Sequence, residues 1–305
     1  MSPFEGPIFG VAVDQGSGLQ AALREGRGAQ ARDDDLFTFK RIVVETLSPE
    51  ATTVLVDAAL GRELLSAYDP ACIKMLAYEA DVYHIADEDR ITKLPDNLSV
   101  ADYPALGVKV LKFFLYYGPN DPAELNQRKA DLVADIGTEC RAHGITFLFE
   151  PIVYDRAISD GSSVEFALAK PDLVRRATAD FAAPKFNIDL LKVEIPITMA
   201  HLGGATSESN ALSAFQQAAE AAGDIPLLYL SAGVTFEQFR DALALSRKAG
   251  VNAQGFMCGR GIWSDAIGIF CADGRGPCWS SSVPSRRDRQ RRKCRSRRSR
   301  SHGRT

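Results

Sequence analysis

The feature that most constrains the fold is a regular alternation, over about the first 270 residues, of short β-branched or aromatic runs with longer segments of helical periodicity. This alternation is typical of βαβ units, in which helices join parallel strands. Eight runs have the composition of strands, and they span Ile8–Val13, Thr53–Asp57, Ile73–Tyr78, Val108–Tyr116, Ile145–Glu150, Ile188–Ile195, Pro226–Leu230 and Gln254–Cys258. Eight units over roughly 250 residues predict an α/β fold, a single (β/α)8 TIM barrel over residues 1–271.

Two of the segments between these runs carry signals for the start of a helix. Asn120 or Asp121 can cap a helix that has Pro122 in its first turn, because proline fits that position and the short polar side chain can accept from free backbone amides. Thr235 can cap a second helix, and Gln238 is placed to return the capping-box hydrogen bond. We expect this second helix to point its N-terminus toward the end of the seventh strand.

The same alternation would also produce an open, doubly wound sheet, which is the alternative architecture. Such a sheet carries G-x-G-x-x-G after its first strand when it binds a dinucleotide. This chain has VDQGSG at residues 13–18 instead, which gives a dinucleotide site little support. The closed barrel is the preferred interpretation, and no cofactor is expected.

Composition argues against several classes of protein. No apolar run approaches the roughly 18 to 20 residues that a membrane-spanning helix needs, and the N-terminus lacks the basic start and cleavage site of a signal peptide. We therefore expect a cytoplasmic protein without a membrane partner. The six cysteines form no C-x-x-C pair and the histidines are scattered, so neither a disulfide framework nor a metal site is expected.

Charge divides the chain into two chemically different parts. Residues 272–305 carry eleven arginines, one lysine and two aspartates, a net charge of +10, which leaves −13 for residues 1–271. This irregular basic tail has almost no aliphatic residues, so it cannot bury enough apolar surface to fold, and we expect it to be disordered. Basic runs also attract phosphate backbones, which makes a nucleic-acid-binding tail one interpretation of residues 286–300.

Lys192 is a charged residue inside the sixth strand candidate, where it stands in the apolar run IDLLKVEIPI. Barrel strands are buried on both faces, so a charged side chain there needs a partner or a task. Burial disfavours the ammonium form and favours the neutral, nucleophilic amine, which makes Lys192 a candidate for a Schiff base. The alternative that spacing leaves open is a structural ion pair with Glu194 or another carboxylate.

Glu150 closes the fifth strand candidate, at the carboxyl end of the barrel where active sites are built. Its carboxylate could transfer protons, or it could form a salt bridge to a lysine of a neighbouring strand. The fourth strand contains Lys109 and Lys112, whose odd spacing puts them on opposite faces. We expect only one of the two, Lys112, to face the pocket, and the other to extend between helices toward solvent.

Polar residues also follow the first and second strands. Asp14 and Gln15 close the first strand and Asp57 closes the second, again at the carboxyl ends. Each of these side chains could line an active site, or it could simply cap a turn.

The loops after the seventh and eighth strands have the composition of a phosphate site. Ser231 and Gly233 stand just before the helix that starts at Thr235, and Gly259 and Arg260 follow the eighth strand. Backbone amides at a helix start, with an arginine nearby, suit a phosphate, and barrels often bind phosphate at these two loops. Small residues also make tight turns, so each segment alone is weak evidence.

Eight segments, taken in order, resemble those of the tagatose 1,6-bisphosphate aldolases, a class I family that is also similar to the sulfofructose phosphate aldolases. The segments are VDQ at residues 13–15, LVD at 55–57, LAYE at 76–79, LKFFLYY at 111–117, FEPIVYD at 149–155, DLLKVEIPI at 189–197, YLSAGV at 229–234 and CGRGIW at 258–263. The resemblance runs from about residue 8 to about residue 268, and it implies a carbon–carbon lyase of carbohydrate metabolism.

The resemblance also implies roles for eight residues. Lys192 matches the Schiff-base lysine, and Glu150 matches the glutamate that transfers protons. The residues that would bind substrate are Asp14, Gln15 and Lys112 in the same pocket and Ser231, Gly259 and Arg260 at the phosphate loops. The implied reaction cleaves a ketose bisphosphate such as tagatose 1,6-bisphosphate to dihydroxyacetone phosphate and glyceraldehyde 3-phosphate, without a metal.

The chain departs from this family at two places. Gly16 stands where the family commonly has arginine after the Asp-Gln pair, so one contact to an anionic group of the substrate is missing from the pattern. Beyond about Phe270 the similarity stops, and the basic tail replaces the family's last barrel helix and the helices that follow it. Because the break falls inside an expected helix, an out-of-frame gene end is favoured over a genuine nucleic-acid-binding tail.

Two other functions stay open from the sequence. An aldolase for a related substrate such as sulfofructose 1-phosphate would use the same lysine chemistry. A non-catalytic sugar-phosphate sensor could retain the pocket, since a barrel does not fix function, but it would need neither Lys192 nor Glu150. The expected partner is a small-molecule sugar phosphate, a nucleic acid is not expected, and a homo-oligomer is left open.

Overall fold

The computed structural model of the chain describes residues 2–81 and 89–273. Its strands are β1 (Ile8–Val13), β2 (Thr53–Val56), β3 (Ile73–Ala77), β4 (Val110–Tyr117), β5 (Thr146–Val153), β6 (Leu190–Glu194), β7 (Leu227–Leu230) and β8 (Gly255–Cys258). Each strand pairs in parallel with the next one, and β8 pairs with β1, so the sheet closes on itself. The predicted (β/α)8 barrel is therefore confirmed, and the alternative architecture, an open doubly wound sheet, is wrong.

Helices surround the barrel. They are α1 (Ser17–Arg27), α2 (Asp35–Leu47), α3 (Gly61–Leu64), α4 (Ala123–Ala142), α5 (Val164–Phe181), α6 (Glu208–Ala221), α7 (Phe236–Lys248), α8 (Arg260–Trp263) and α9 (Asp265–Asp273). An apolar stripe of each long helix packs on the core, as Val133, Ile136 and Cys140 do in α4. None of the helices in the described part of the chain is both long and apolar enough to cross a membrane.

The two helices with predicted start signals begin differently. Thr235 caps α7 as predicted, because its Oγ1 accepts from Gln238 N at 3.2 Å and the Gln238 side chain accepts from Thr235 N at 3.2 Å. The cap predicted for α4 is wrong, since Pro122 occupies the N-cap position and neither Asn120 nor Asp121 caps the helix with its side chain. The Asp121 carboxylate instead accepts from side chains of α4 and of the segment after β5.

Strand β5 is longer than predicted, because it runs past Glu150 to Val153. It pairs with β4 along its whole length, up to Tyr117 opposite Val153. Pro151 lacks the amide that a central strand normally donates, so its place after Glu150 resembles the end of a strand in the sequence. Glu150 consequently lies inside the barrel, below its mouth, rather than at the end of the strand.

Side chains that alternate along the strands fill the barrel. The lower layer is an apolar cluster, which contains Phe4, Ile8, Leu55, Met75, Val110, Leu148, Leu190, Leu228 and Met257. Two residues further along β4, β5 and β6, the same interior face carries Lys112, Glu150 and Lys192, because side chains on one face of a strand recur at every second position. A charged layer therefore lies directly above an apolar one.

The last described helix, α9, completes the outer wall beside α1 and α2. Phe270 packs its ring edge-on against Phe39, with the ring centroids 5.5 Å apart, and Cys271 is buried against α1. The helix continues to Asp273, which is past the predicted domain boundary at residue 271. Most of the predicted basic tail, residues 274–305, lies outside the described residues.

Candidate active site

A cavity of about 360 Å³ opens at the carboxyl ends of the strands. We call it the lysine pocket, because Lys112 and Lys192 both line it. All eight site residues predicted from the sequence line this cavity, and they are Asp14, Gln15, Lys112, Glu150, Lys192, Ser231, Gly259 and Arg260. They belong to β1, β4, β5, β6, β7 and β8 or to the loops after these strands, so barrel closure brings them together. Their roles toward a substrate stay predictions.

Lys192 and Glu150 form a buried pair in the lysine pocket. The two residues are 4% and 6% exposed, and Lys192 Nζ lies 2.9 Å from Glu150 Oε1. Both side chains therefore face the interior of the barrel within reach of each other, and the carboxylate beside Lys192 is Glu150. Glu194, the other partner considered for Lys192, pairs instead with Lys170 at 3.1 Å and accepts from Val153 N at 2.8 Å.

Lys112 forms ion pairs with three carboxylates, one of which is the Glu150 carboxylate that also pairs with Lys192. Its Nζ lies 3.0 Å from Asp14 Oδ2, 2.5 Å from Glu79 Oε1 and 2.9 Å from Glu150 Oε2. Lys112 is buried, whereas Lys109 is exposed just before β4, so the prediction that Lys112 faces the pocket is confirmed. Within residues 2–81 and 89–273, no group of three or more His, Cys, Asp or Glu side chains could hold a metal ion.

Burial and the charges around Lys112 shift the pKa values of Glu79, Asp14 and Lys112. Burial raises the pKa of Glu79, and although Lys112 lowers it, the charges of Asp14 and Glu150 raise it further, to about 7. Burial also disfavours the charged form of Asp14, but Lys112 and Lys192 outweigh this effect and lower its pKa to about 2. For Lys112 burial is outweighed by the three carboxylates, which hold its pKa well above the usual range. At neutral pH Lys112 and Asp14 are therefore charged, and Glu79 is partly protonated.

Glu79 is a member of the site to which the sequence assigned no role. It lies two residues beyond Ala77, on the interior face after β3, and it accepts from Phe114 N at 3.3 Å as well as binding Lys112. Its place after a strand, in the segment LAYE, was the available signal. Phe114 and Tyr116 also line the lysine pocket, with ring centroids 4.8 Å apart, but aromatic residues in a strand look like core in a sequence.

The loop after β7 and the start of α8 lie together at one side of the pocket. Ala232 and Gly233 have positive φ angles of 49° and 80°, which turn the chain sharply after Ser231. A Cβ atom on Gly233 would lie 2.6 Å from Arg260 Nη2, so glycine allows the Arg260 side chain to rest against this loop. Because Thr235 caps α7 directly afterwards, a helix N-terminus, a hydroxyl and a guanidinium lie close together.

Two nearby residues have structural roles. Trp263 donates from Nε1 to Ala12 O at 2.8 Å and is fully buried, which fixes the loop after β8 against β1. Asp57 pairs with Lys40 and accepts from Leu60 N at 2.9 Å, so the turn-capping interpretation of Asp57 is confirmed.

A buried amine beside a carboxylate, with a cationic loop nearby, is an arrangement that can form an imine with a phosphorylated ketone. The sequence profile described as DeoC/LacD family aldolase matches residues 8–265, which include all eight strands. The chain belongs to this family. It is therefore an aldolase, a carbon–carbon lyase, and the resemblance read from the sequence is confirmed.

Relatives of this DeoC/LacD aldolase carry the name tagatose 1,6-diphosphate aldolase. The chain is 31% identical over 280 residues to the Listeria monocytogenes serotype 4b protein. The aligned region covers 90% of this chain and 82% of the relative. It is 34% identical over 284 residues to tagatose 1,6-diphosphate aldolase 2 of Streptococcus mutans, covering 90% and 85%. The Staphylococcus aureus protein is 33% identical over 280 residues, covering 90% and 86%.

Solved aldolase structures share the barrel of this family member. An archaeal fructose-1,6-bisphosphate aldolase, with its catalytic lysine covalently bound to the carbinolamine intermediate, matches with a TM-score of 0.59 at 16% identity and covers 88% of this chain and 92% of that one. The fructose-bisphosphate aldolase from Slackia heliotrinireducens matches with a TM-score of 0.61 at 14% identity, covering 87% and 79%. At these identities the likeness supports the fold alone.

Proposed function

We propose that this DeoC/LacD family aldolase cleaves a ketose phosphate through a Schiff base on Lys192. The observation that carries the proposal is the buried pair in which Lys192 Nζ lies 2.9 Å from Glu150 Oε1. Tagatose 1,6-bisphosphate, the substrate in the names of the relatives, would give dihydroxyacetone phosphate and glyceraldehyde 3-phosphate. It is the first candidate, and a ketose phosphate with a different far end, such as sulfofructose 1-phosphate, is the alternative.

The first half of the reaction needs a neutral amine and a group that moves protons. Lys192 Nζ attacks the C2 carbonyl, and the carbinolamine oxygen leaves as water after Glu150 delivers a proton to it. The product is a cationic iminium, whose charge is stabilised by Glu150 beside it. Lys112 contacts the second oxygen of Glu150, so the carboxylate is held between two nitrogen atoms.

The second half breaks the bond between C3 and C4. Glu150, as a base, takes the proton of the C4 hydroxyl, the electrons of the C3–C4 bond move to the iminium nitrogen to form an enamine, and the aldehyde leaves. Protonation of the enamine at C3 and hydrolysis of the resulting iminium release dihydroxyacetone phosphate and restore Lys192. The electron acceptor that bond breaking requires is thus supplied by the protein's own side chain.

The C1 phosphate is assigned to the loops after β7 and β8. Ser231 and Arg260 line the pocket there, and the 13-residue helix α7 begins beside them with Thr235 as its cap. A guanidinium and the amides at a helix start are favourable partners for a dianionic phosphate. Phosphate binding at this side would direct the neighbouring C2 carbonyl toward Lys192.

Lys192→Arg tests the proposal. Arginine keeps the positive charge beside Glu150 but stays protonated and cannot attack a carbonyl. The release of dihydroxyacetone phosphate measures cleavage of tagatose 1-phosphate and of tagatose 1,6-bisphosphate. In Lys192→Arg this release should fall to background with both compounds. Lys109→Arg, which changes an exposed lysine before β4, should retain the wild-type rate. Wild-type cleavage by Lys192→Arg, or no cleavage of either compound by the wild type, would reject the proposal.

A further inference from the structure

Glu194 is a carboxylate of the lysine pocket to which the proposed reaction gives no task. It lies two residues beyond Lys192 on β6, so both side chains are on the interior face of the strand. Glu194 is 6% exposed, and it lines the cavity. Because the cavity opens at the carboxyl ends of the strands, Glu194 lies nearer to the mouth of the barrel than Lys192 does.

Glu194 is held where strands β5 and β6 separate. The pairing of β5 with β6 reaches Phe149 opposite Leu191, whereas the pairing of β5 with β4 continues to Val153. The Glu194 side chain bridges this separation, since its Oε2 accepts from Val153 N at 2.8 Å. Lys170 of α5 reaches the same carboxylate from the helix layer, with its Nζ 3.1 Å from Glu194 Oε1. The carboxylate is therefore fixed by a backbone amide and by a buried ammonium group.

These two contacts leave Glu194 able to accept further hydrogen bonds. The two oxygens of a carboxylate together offer about four lone-pair sites. Val153 N takes one site on Oε2, and Lys170 Nζ takes one on Oε1. The remaining sites belong to a side chain that is already fixed, so a ligand would not have to order it on binding.

The neighbouring side chains at this height make Glu194 the polar member of its layer. Two residues beyond the charged layer, the side chains of β4, β5 and β6 that line the lysine pocket are Phe114, Ile152 and Glu194. Phenylalanine and isoleucine can cover the carbon–hydrogen face of a sugar, but their side chains accept no conventional hydrogen bond. A substrate hydroxyl that passes this side of the pocket therefore has Glu194 as its acceptor on these three strands.

We infer that Glu194 determines specificity by accepting a hydrogen bond from the C5 hydroxyl of the substrate, and that Lys170 positions it. The inference rests on the proposed function, which places C2 at Lys192 and the C1 phosphate at the loops after β7 and β8. Carbons C4 to C6, the aldehyde half, then extend toward the mouth past Glu194. Because the C4 hydroxyl gives its proton to Glu150 in the proposed reaction, the next hydroxyl along the chain is the one on C5. The aldehyde that the enzyme releases is accordingly a 2-hydroxyaldehyde, whatever anionic group its far end carries.

Two aldehydes that differ in one hydroxyl test the inference in the direction of condensation with dihydroxyacetone phosphate. Lactaldehyde carries the hydroxyl that becomes the C5 hydroxyl of the product, and propanal lacks it. We expect the wild-type kcat/KM for lactaldehyde to exceed that for propanal by about tenfold to 100-fold, the worth of a hydrogen bond to a charged group. A wild-type ratio near one would overturn the inference.

Glu194→Gln assigns this preference to the carboxylate. Glutamine keeps the size of the side chain, but it removes the charge and replaces one acceptor oxygen by a donor. The ratio of lactaldehyde to propanal should fall by about tenfold, and kcat/KM for glyceraldehyde 3-phosphate should fall by a similar factor. Glu139→Gln, on the exposed face of α4, is the matched control and should keep both wild-type values. Wild-type kcat/KM for glyceraldehyde 3-phosphate in Glu194→Gln would overturn the assignment.

Dihydroxyacetone phosphate alone separates a role in specificity from a structural role. This ketone ends at C3, so exchange of its C3 hydrogen with solvent should slow by less than about threefold in Glu194→Gln, since no hydrogen bond to it is removed. A loss of exchange as large as the loss of condensation would overturn the inference, because the effect would then act through Lys192 or Glu150. A wild type that gives no borohydride adduct with this ketone would instead reject the proposed Schiff base.

Lys170→Gln tests the positioning role and guards against a folding defect. Combined with Glu194→Gln, it leaves neither partner of the buried pair as an unpaired charge. We expect Lys170→Gln alone to lower the ratio of lactaldehyde to propanal, and to lower it no further in the Glu194→Gln background, because both changes act through one contact. A double variant that regains the wild-type ratio would overturn the inference.

Discussion

Lys112 organises the active site at the scale of single residues. Its ammonium group contacts Asp14 after β1, Glu79 after β3 and Glu150 on β5. One cation therefore holds together carboxylates that come from three different parts of the barrel. Loss of Lys112 would leave these carboxylates inside the barrel without the cation that they share, which is more costly than loss of a whole ion pair. The environment of Lys192 consequently depends on the entire cluster and not on Glu150 alone.

Glu150→Gln should slow cleavage by about 100-fold to 10,000-fold, because an amide keeps the shape of the side chain but cannot exchange a proton. Substrate affinity should change little, since the pocket residues Ser231 and Arg260 are untouched. Steady-state kinetics with tagatose 1,6-bisphosphate measure kcat and KM, and Glu139→Gln, on the exposed face of α4, is the control. A wild-type kcat in Glu150→Gln would remove this carboxylate from the proton transfers.

Glu79→Gln should change how stability depends on pH. The pKa of Glu79 is raised from 4.5 to about 7 in the folded protein, so between these values the folded state binds more protons than the unfolded state. The resulting stabilisation is fully present below pH 4.5 and is lost as the pH rises through 7. Relative to the variant, the wild type should therefore lose about 2 to 3 kcal/mol of unfolding free energy between pH 5 and pH 7.5. Urea unfolding measures this difference, and a difference that is constant with pH would contradict the assigned shift.

At the scale of elements, the existence of strands and helices could be predicted from repeated patterns, whereas the ends of two elements beside a proline could not. All eight strands lie within a few residues of their predicted positions, because an apolar run between turn residues has few other solutions in a parallel sheet. Pro151 resembles a strand end but lies inside β5, and Pro122 resembles a first-turn residue but occupies the N-cap of α4. In both cases the packing of neighbouring elements decides what the local signal leaves open.

Phe270→Ala should lower the unfolding free energy by about 3 kcal/mol, because it removes a buried ring from the contact between α9 and α2. Ile269→Ala, which truncates a residue that is 46% exposed on the same helix, should cost less than about 1 kcal/mol. Chemical denaturation of the two variants gives the comparison. Equal losses would mean that α9 does not close the outer wall through Phe270.

At the scale of the whole molecule, barrel closure turns residues that are far apart in sequence into one pocket. Five of the eight predicted site residues could be found because they follow a strand at its carboxyl end, and parallel strands bring those ends together. The other three, Lys112, Glu150 and Lys192, could be found because they are charged residues in strand candidates that are otherwise apolar. The role of Glu79 could not, since it depends on a 2.5 Å contact with Lys112 that no spacing encodes. A second cavity, of about 510 Å³, also escaped prediction, because its wall is assembled from four segments, residues 14–20, 57–62, 77–81 and 95–98, with one contribution from Leu36.

The central claim is an imine on Lys192, and borohydride trapping measures it most directly. Wild-type protein would be incubated with dihydroxyacetone phosphate and sodium borohydride, which reduces an imine to a stable secondary amine, and then analysed by intact mass and peptide mapping. We expect a single adduct at Lys192 in the wild type and in Lys109→Arg, and none in Lys192→Arg. An adduct at another lysine such as Lys112, or no adduct in the wild type, would contradict the proposed chemistry.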